Sequence, residues 1–280
     1  MSCFIKVNDV HFSYTGLPED EVLKGVSVEI SRGEYIALIG QNGGGKTTLA
    51  KHFNGVCKPT SGEVIVDGMN TRDLSVADLA PKVGYCYQNP DHQILHDTVE
   101  KEVAFGPRNL GLPENEVKER VTEALSAVGL LEYRQEHPYF AGKGERQKIA
   151  VASVIAMRPA VLVLDEPTTG LDWTGSEGMM SLIDKLWENG HTIIIITHDM
   201  RLVAEHAKRV IVISEGRIIA DDATHVIFSE RRQELSAARL SPPQITRLGW
   251  VIYGDSTGWL TVSDAAGFAI ERMAVADSQE

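Results

Sequence analysis

Residues Gly40-Gln41-Asn42-Gly43-Gly44-Gly45-Lys46-Thr47 fit the pattern G-x-x-x-x-G-K-T, which leaves a chain few ways to fold around it. Four glycines in six residues make a poor helix start, yet Thr47 to Phe53 continue as one. Tyr35 to Ile39, just before, form a continuous apolar run of strand length. The local reading is strand, glycine loop, helix. Glycines let the backbone wrap close to phosphate oxygens with its N–H groups inward, and the following helix turns its positive end to the same anion. Lys46 is then a point charge for the β- and γ-phosphates of a nucleotide. The Thr47 hydroxyl is a small oxygen ligand suited to Mg²⁺.

The rest of the chain supplies a sheet for that loop. Phe4 to Val10, Val26 to Ile30 and Val64 to Val66 read as strands. Val161 to Leu164, Thr192 to Thr197 and Val210 to Ile213 are apolar runs without alternation, as expected of strands buried on both faces. Between them lie helical faces: Val117, Val121, Ala124, Leu125 and Val128, stopped by Gly129, and Met179, Leu182, Ile183, Leu186 and Trp187, stopped by Gly190. Glu145 to Arg158 reads as another helix, closed by Pro159. Strand–helix alternation of this kind predicts an α/β parallel sheet. A polar stretch near 229, with prolines at 242 and 243, marks a composition shift, so 229–280 is expected to be a small appended domain.

Composition narrows the partners. Net charge is −12, against a nucleic-acid binder held by phosphate contacts, though not against a local basic pocket. The three cysteines, Cys3, Cys57 and Cys86, are scattered without metal-ligand spacing, which favours inert thiols in a reducing compartment. The first residues lack the pattern of a signal peptide, and no stretch approaches the roughly 18 apolar residues of a membrane span. The chain is expected to be soluble or peripheral.

Two further motifs sit at strand ends. Asp165 and Glu166 follow Val161 to Leu164, at the sheet edge where α/β proteins bind ligands. Asp165 is suited to holding Mg²⁺ through water, and Glu166, one residue closer to the γ-phosphate, to polarising an attacking water. His198 follows Thr192 to Thr197 and falls on the same edge, within reach of that phosphate or water.

In this order the motifs resemble the ATP-binding cassette (ABC) ATPases, over about 3–228. The resemblance implies a P-loop ABC core with an inserted helical subdomain at roughly 90–160 and a small C-terminal domain. It implies that Tyr14 stacks on adenine and that Gly40 to Thr48 hold ATP. Gln88 is the Q-loop glutamine, joining Mg²⁺ to the helical subdomain. Glu166 is the catalytic carboxylate, His198 the switch histidine and Asp172 the D-loop aspartate. The string YQNPDHQI resembles the Q-loop of energy-coupling factor (ECF) transporters, which places Asp91 and Gln93 against the coupling helices of a membrane partner. Leu240 to Leu248, LSPPQITRL, resembles the C-terminal domain of that subfamily, which helps hold the ATPase dimer together. The cargo implied is a vitamin or a transition-metal ion, chosen by a separate substrate-binding membrane subunit, and the location implied is the cytoplasmic face of the membrane.

One motif departs from the family. The signature LSGGQ is here Ala141-Gly142-Lys143-Gly144-Glu145, with Gly142 in place of the serine and Lys143 in place of a glycine. In the family this segment binds the γ-phosphate held by the partner's P-loop. Three readings are open: a weakened signature, an ammonium that replaces the lost hydroxyl, or a Lys143 turned to solvent. Since Lys46, Glu166 and His198 look intact, a heterodimer with a second ATPase bearing a complete signature is expected; a homodimer is the alternative. Other readings are a regulatory partner with weak turnover and an ATPase of a different ABC importer.

Overall fold

Burial on both faces organises the centre of the molecule. In the computed structural model, which describes residues 3–254 and 258–277 (side chains as far as 271), every residue of β3 (Tyr35–Ile39) is buried. The chain reaches it through two long strands, β1 (Cys3–Ser13) and β2 (Glu21–Ser31). After β3 come α1 (Lys46–Phe53), β4 (Ser61–Val66), β5 (Met69–Asn70), the single turn α2 (Val76–Leu79) and β6 (Val83–Cys86). Three helices follow: α3 (Val99–Asn109), α4 (Glu114–Ala127) and α5 (Lys143–Ile155). The chain then re-enters the sheet as β7 (Val161–Asp165), α6 (Trp173–Glu188), β8 (Thr192–Ile196), α7 (Met200–His206), β9 (Arg209–Ser214) and β10 (Arg217–Ala223).

Two sheets result. One has the order β10-β9-β3-β8-β7-β6, parallel throughout except where β10 turns back on β9. The other, β2-β1-β4-β5, is antiparallel. Alternation along the central strands explains why they lack polar positions. Val161, Val163, Ile194 and Ile196 pack with α1 and the antiparallel sheet. Leu162, Leu164, Ile193 and Ile195 face the opposite way and pack with α3 to α6. The helix α1 is thereby clamped between two sheets, which fixes the direction in which its first turn points. The subdomain α3–α5 is inserted between adjacent parallel strands β6 and β7.

The boundaries differ from expectation in ways the residues explain. The antiparallel strands run beyond the apolar cores predicted for them, because polar residues such as His11 and Lys24, which pair with each other, complete the ladder equally well. The helix expected at Glu145 to Arg158 runs from Lys143 to Ile155. Its start moves because the Glu145 carboxylate accepts from the Gly142 N–H at 2.6 Å, which makes Glu145 the third residue of the first turn, closing on the N-cap, rather than the first helical one. Its end moves because Arg158, before Pro159, lies at φ +55°. The cysteines are free: Cys57 and Cys86 are buried and Cys3 is exposed. Burial pushes the Cys86 thiol up to about 12, so it is inert.

The composition shift at 229 falls inside a helix, α8 (Thr224–Glu230). Phe228 of α8 and Leu235 and Ala238 of α9 (Arg232–Ala237) with its cap share one cluster with Ala37 and Ile39 of β3, so this stretch belongs to the core. Beyond the two prolines the chain continues as α10 (Gln244–Tyr253) and α11 (Val262–Asp277), with Leu260 between them packed on the same cluster. Within the expected domain, 255–257 and 278–280 lie outside the described residues. Among the described residues no helix is long and apolar enough to cross a membrane.

Candidate functional site

The glycine loop closes on itself because two of its glycines have no room for a side chain. A Cβ on Gly40, at φ +153°, would stand 2.0 Å from the Ile213 carbonyl oxygen of β9. One on Gly45, at φ +106°, would stand 2.9 Å from Leu23. The Lys46 ammonium folds over the loop, donating to the carbonyls of Gly40 at 2.7 Å and Gln41 at 3.0 Å. Burial lowers its pKa, and the carboxylates of Glu166 and Asp165 oppose that shift.

A cleft of about 510 Å³ opens in front of this loop. It is lined by Asn42 to Thr48, Tyr14, Gln88, Asp165 and Glu166, so the loop and the ends of β1, β6 and β7 meet in one place. Tyr14 is exposed, stands edge-on to Phe12 with centroids 4.8 Å apart, and shares a hydrogen bond of 3.1 Å with the Thr48 hydroxyl. An exposed ring held by such contacts at a cleft mouth is a ready stacking surface.

At the cleft floor the Thr47 hydroxyl donates to Asp165 Oδ2 at 3.0 Å. The phenol of Tyr85, from the neighbouring strand β6, donates to the same oxygen at 2.8 Å. The sequence reading does not reach this pairing, because β6 is not among its strands and the two residues lie 80 apart. The available signal was a tyrosine inside a buried strand, whose hydroxyl needs a partner. The donor set of Thr47, Asp165 and Gln88 is all oxygen, hard and partly neutral, which fits Mg²⁺ shared with phosphates.

Glu166 follows with φ +50°, a conformation that an ordinary residue adopts only under constraint. Its N–H donates to the Ile196 carbonyl of β8 at 2.8 Å. Its carboxylate meets His198 Nδ1 at 2.8 Å and accepts from the Thr169 hydroxyl at 3.3 Å. The strand ends of β7 and β8 therefore bring together two residues 32 apart in sequence. A second recess of about 380 Å³ continues from them past Asp172, which caps α6 through the Gly175 N–H at 2.7 Å. There Trp173, exposed and unremarked in the sequence, carries the Arg201 guanidinium 4.2 Å above its ring.

Gly142 to Glu145 stand apart: none of them lines the nucleotide cleft of their own chain. Lys143 is exposed, as the solvent-facing reading expects. Its side chain lies over Gly170, where a Cβ would meet the ammonium at 2.2 Å. Gly144 packs near Leu171, so the first turn of α5 rests on the loop that precedes Asp172. Asp91 pairs with Arg146 of α5 at 2.9 Å. Gln93 is committed within the chain, donating to the Ala150 carbonyl at 2.8 Å and the Ser153 hydroxyl at 3.0 Å.

The family described as ABC transporter matches residues 23–169. An ABC transporter ATP-binding protein, so named, from Caldanaerobacter subterraneus is 50% identical over 244 residues, covering 87% of this chain and 42% of its own length. The chain spans less than half of that relative. The energy-coupling factor transporter ATP-binding protein EcfA of Methanothermobacter thermautotrophicus is 43% identical over 81% of this chain and 73% of its own. Among solved structures, CbiO1 of Clostridium perfringens, part of the ABC transporter complex CbiONQ, superposes with a TM-score of 0.76 at 33% identity, covering 90% of this chain and 96% of that one. A dimeric ATP-binding cassette in a post-hydrolysis state with ADP and Pi superposes at 0.70 with 27% identity, over 79% of this chain and 98% of that one.

Proposed function

We propose, given that the chain belongs to the ABC transporter family and is one of its ATPases, that it energises an ECF-type importer for a vitamin or a transition-metal ion. The observation that supports the ECF assignment is its joint similarity to EcfA and CbiO1 over most of the chain. Its neighbours would be a second ABC ATPase, an integral-membrane coupling subunit and a substrate-binding membrane subunit, with this chain on the cytoplasmic face. The cargo would be chosen by the membrane subunit.

In the mechanism we propose, the loop N–H groups and Lys46 bind the β- and γ-phosphates, and Tyr14 stacks on adenine. Thr47, Asp165 and Gln88 would hold Mg²⁺, which neutralises phosphate charge when bound. Glu166 polarises the attacking water. His198, already paired with Glu166, holds that carboxylate in place and reaches the γ-phosphate. Catalysis is then largely electrostatic positioning. Gly142 to Glu145 and Asp172 would act on the nucleotide of the second ATPase. Closure of two such subunits on ATP, and reopening after hydrolysis, would move the coupling subunit, with Asp91 near the contact and Gln93 bracing it from behind.

Purification of the tagged Glu166→Gln variant with ATP from native membranes in mild detergent tests this. Recovery of a second ATPase, a membrane coupling subunit and a small substrate-binding membrane protein is expected. Recovery of soluble self-dimers alone would overturn the transporter reading.

A further inference from the structure

We infer that Tyr85 is a positioning residue for the Mg²⁺ site, acting through Asp165. The inference rests on the assignment of Asp165 to that site. Three observations carry it. The Tyr85 hydroxyl donates to Asp165 Oδ2 at 2.8 Å, and Thr47 donates to the same oxygen at 3.0 Å. Tyr85 is buried within β6, and its strand pairs in parallel with β7, the strand that ends in Asp165. Its ring lies 5.1 Å from that of Tyr87, whose backbone N–H donates to Gln93 Oε1 at 3.3 Å.

The chemistry follows from these contacts. A phenol inside an apolar strand costs stability unless its hydroxyl is satisfied, and phenylalanine would fill the same space. The feature to be explained is therefore the hydroxyl. Its proton fixes the rotamer of a carboxylate that is itself buried. Were Thr47 and Asp165 to hold Mg²⁺, the Thr47 hydroxyl would serve the metal, and the Tyr85 hydroxyl would remain as the donor to Asp165 Oδ2. Tyr85 would so hold the carboxylate in register. Groups that orient a metal site from behind in this way carry roughly tenfold to a hundredfold of its affinity.

The test compares full-length wild type with Tyr85→Phe by a fluorescent ATP analogue, once in EDTA and once with Mg²⁺. No turnover enters the readout. The wild type is expected to bind more tightly with Mg²⁺ than without. In Tyr85→Phe that enhancement should fall about tenfold or more, with affinity in EDTA unchanged. A wild type indifferent to Mg²⁺ would overturn the metal-site reading itself. A wild type that responds and a variant that responds equally would overturn the role of Tyr85 alone. Equal weakening in EDTA and in Mg²⁺ would also overturn it, since that is loss of fold. In an Asp165→Asn background the second substitution should have no further effect; an additive loss would show that Tyr85 acts elsewhere.

Discussion

Nδ1 of His198 stands 2.8 Å from Oε1 of Glu166, so the base and the switch residue proposed for hydrolysis form a pair within one chain. The carboxylate is largely shielded and the imidazole mostly exposed. Glu166→Gln keeps the shape and a hydrogen-bonding oxygen but removes the basic group. Turnover should fall by at least about a hundredfold, the usual share of a positioned general base. ATP affinity should hold, because the loop and Lys46 are untouched. Steady-state phosphate release and nucleotide titration of the same preparation check both parts, and rapid hydrolysis by the variant would remove Glu166 from the base role.

The pH dependence of stability should carry the mark of His52. This side chain is fully buried on α1 behind Phe12, with Nδ1 donating to the Thr48 carbonyl at 2.7 Å. Burial lowers its pKa below the ordinary 6.5, and the bond to Thr48 opposes that shift. The unfolded chain therefore takes up a proton near 6.5 where the folded chain resists it. Stability from this residue is complete above 6.5 and is lost as pH falls below it towards the folded value. Thermal unfolding from pH 8 to pH 5 should show Tm of the wild type falling more steeply below 6.5 than that of His52→Gln. Parallel curves would exclude His52 as the source.

Some of this was legible in the residues and some was not. The loop, Asp165, Glu166 and His198 were readable because each is a short motif tied to a buried strand end, and burial on both faces leaves its own pattern. The contact between Glu166 and His198 was implied only once β7 and β8 were known to be neighbours. Tyr85 was not legible because its partner Asp165 lies 80 residues away, and only the pairing of β6 with β7 brings the two together. The boundary near 229 was misplaced because composition follows solvent exposure, whereas Phe228 and Leu235 are anchored in the core from an otherwise polar stretch. Lys143 was read as an open question of geometry, and the geometry lays it across Gly170.

That pose makes the charge of Lys143 separable from its stem. Lys143→Met keeps the methylene stem over Gly170, so turnover of the assembled complex should change less than about threefold if packing is what the residue supplies. Lys143→Glu places a carboxylate at the first turn of α5, which in the proposed pairing faces the partner's γ-phosphate. Like charges there should cost at least about tenfold in turnover of the complex. ATP binding by the isolated chain should not move in either variant, since Lys143 does not line its cleft. A loss in Lys143→Met as large as in Lys143→Glu would make the ammonium itself a phosphate ligand.

The C-terminal helices carry several apolar side chains on their outer face. Val251 is 85% exposed on α10, beside Leu248 and Ile252, and Val262 and Ile270 are exposed on α11. The hairpin is braced from within, where Thr246 donates to the Trp259 carbonyl and the rings of Tyr253, Trp259 and Phe268 meet edge to face. An internally braced unit with an apolar outer face is better suited to a protein partner than to water. We therefore expect this face to be covered in the dimer of ATPases. Burying one valine contributes about 1.5–3 kcal/mol, and a buried aspartate would add a desolvation cost. Val251→Asp should weaken pairing by at least about tenfold while leaving ATP affinity of the isolated chain unchanged. Sedimentation of the two ATPases with ATP measures the first and titration the second. Undiminished pairing would move the dimer contact off α10 and leave it to the nucleotide sites alone.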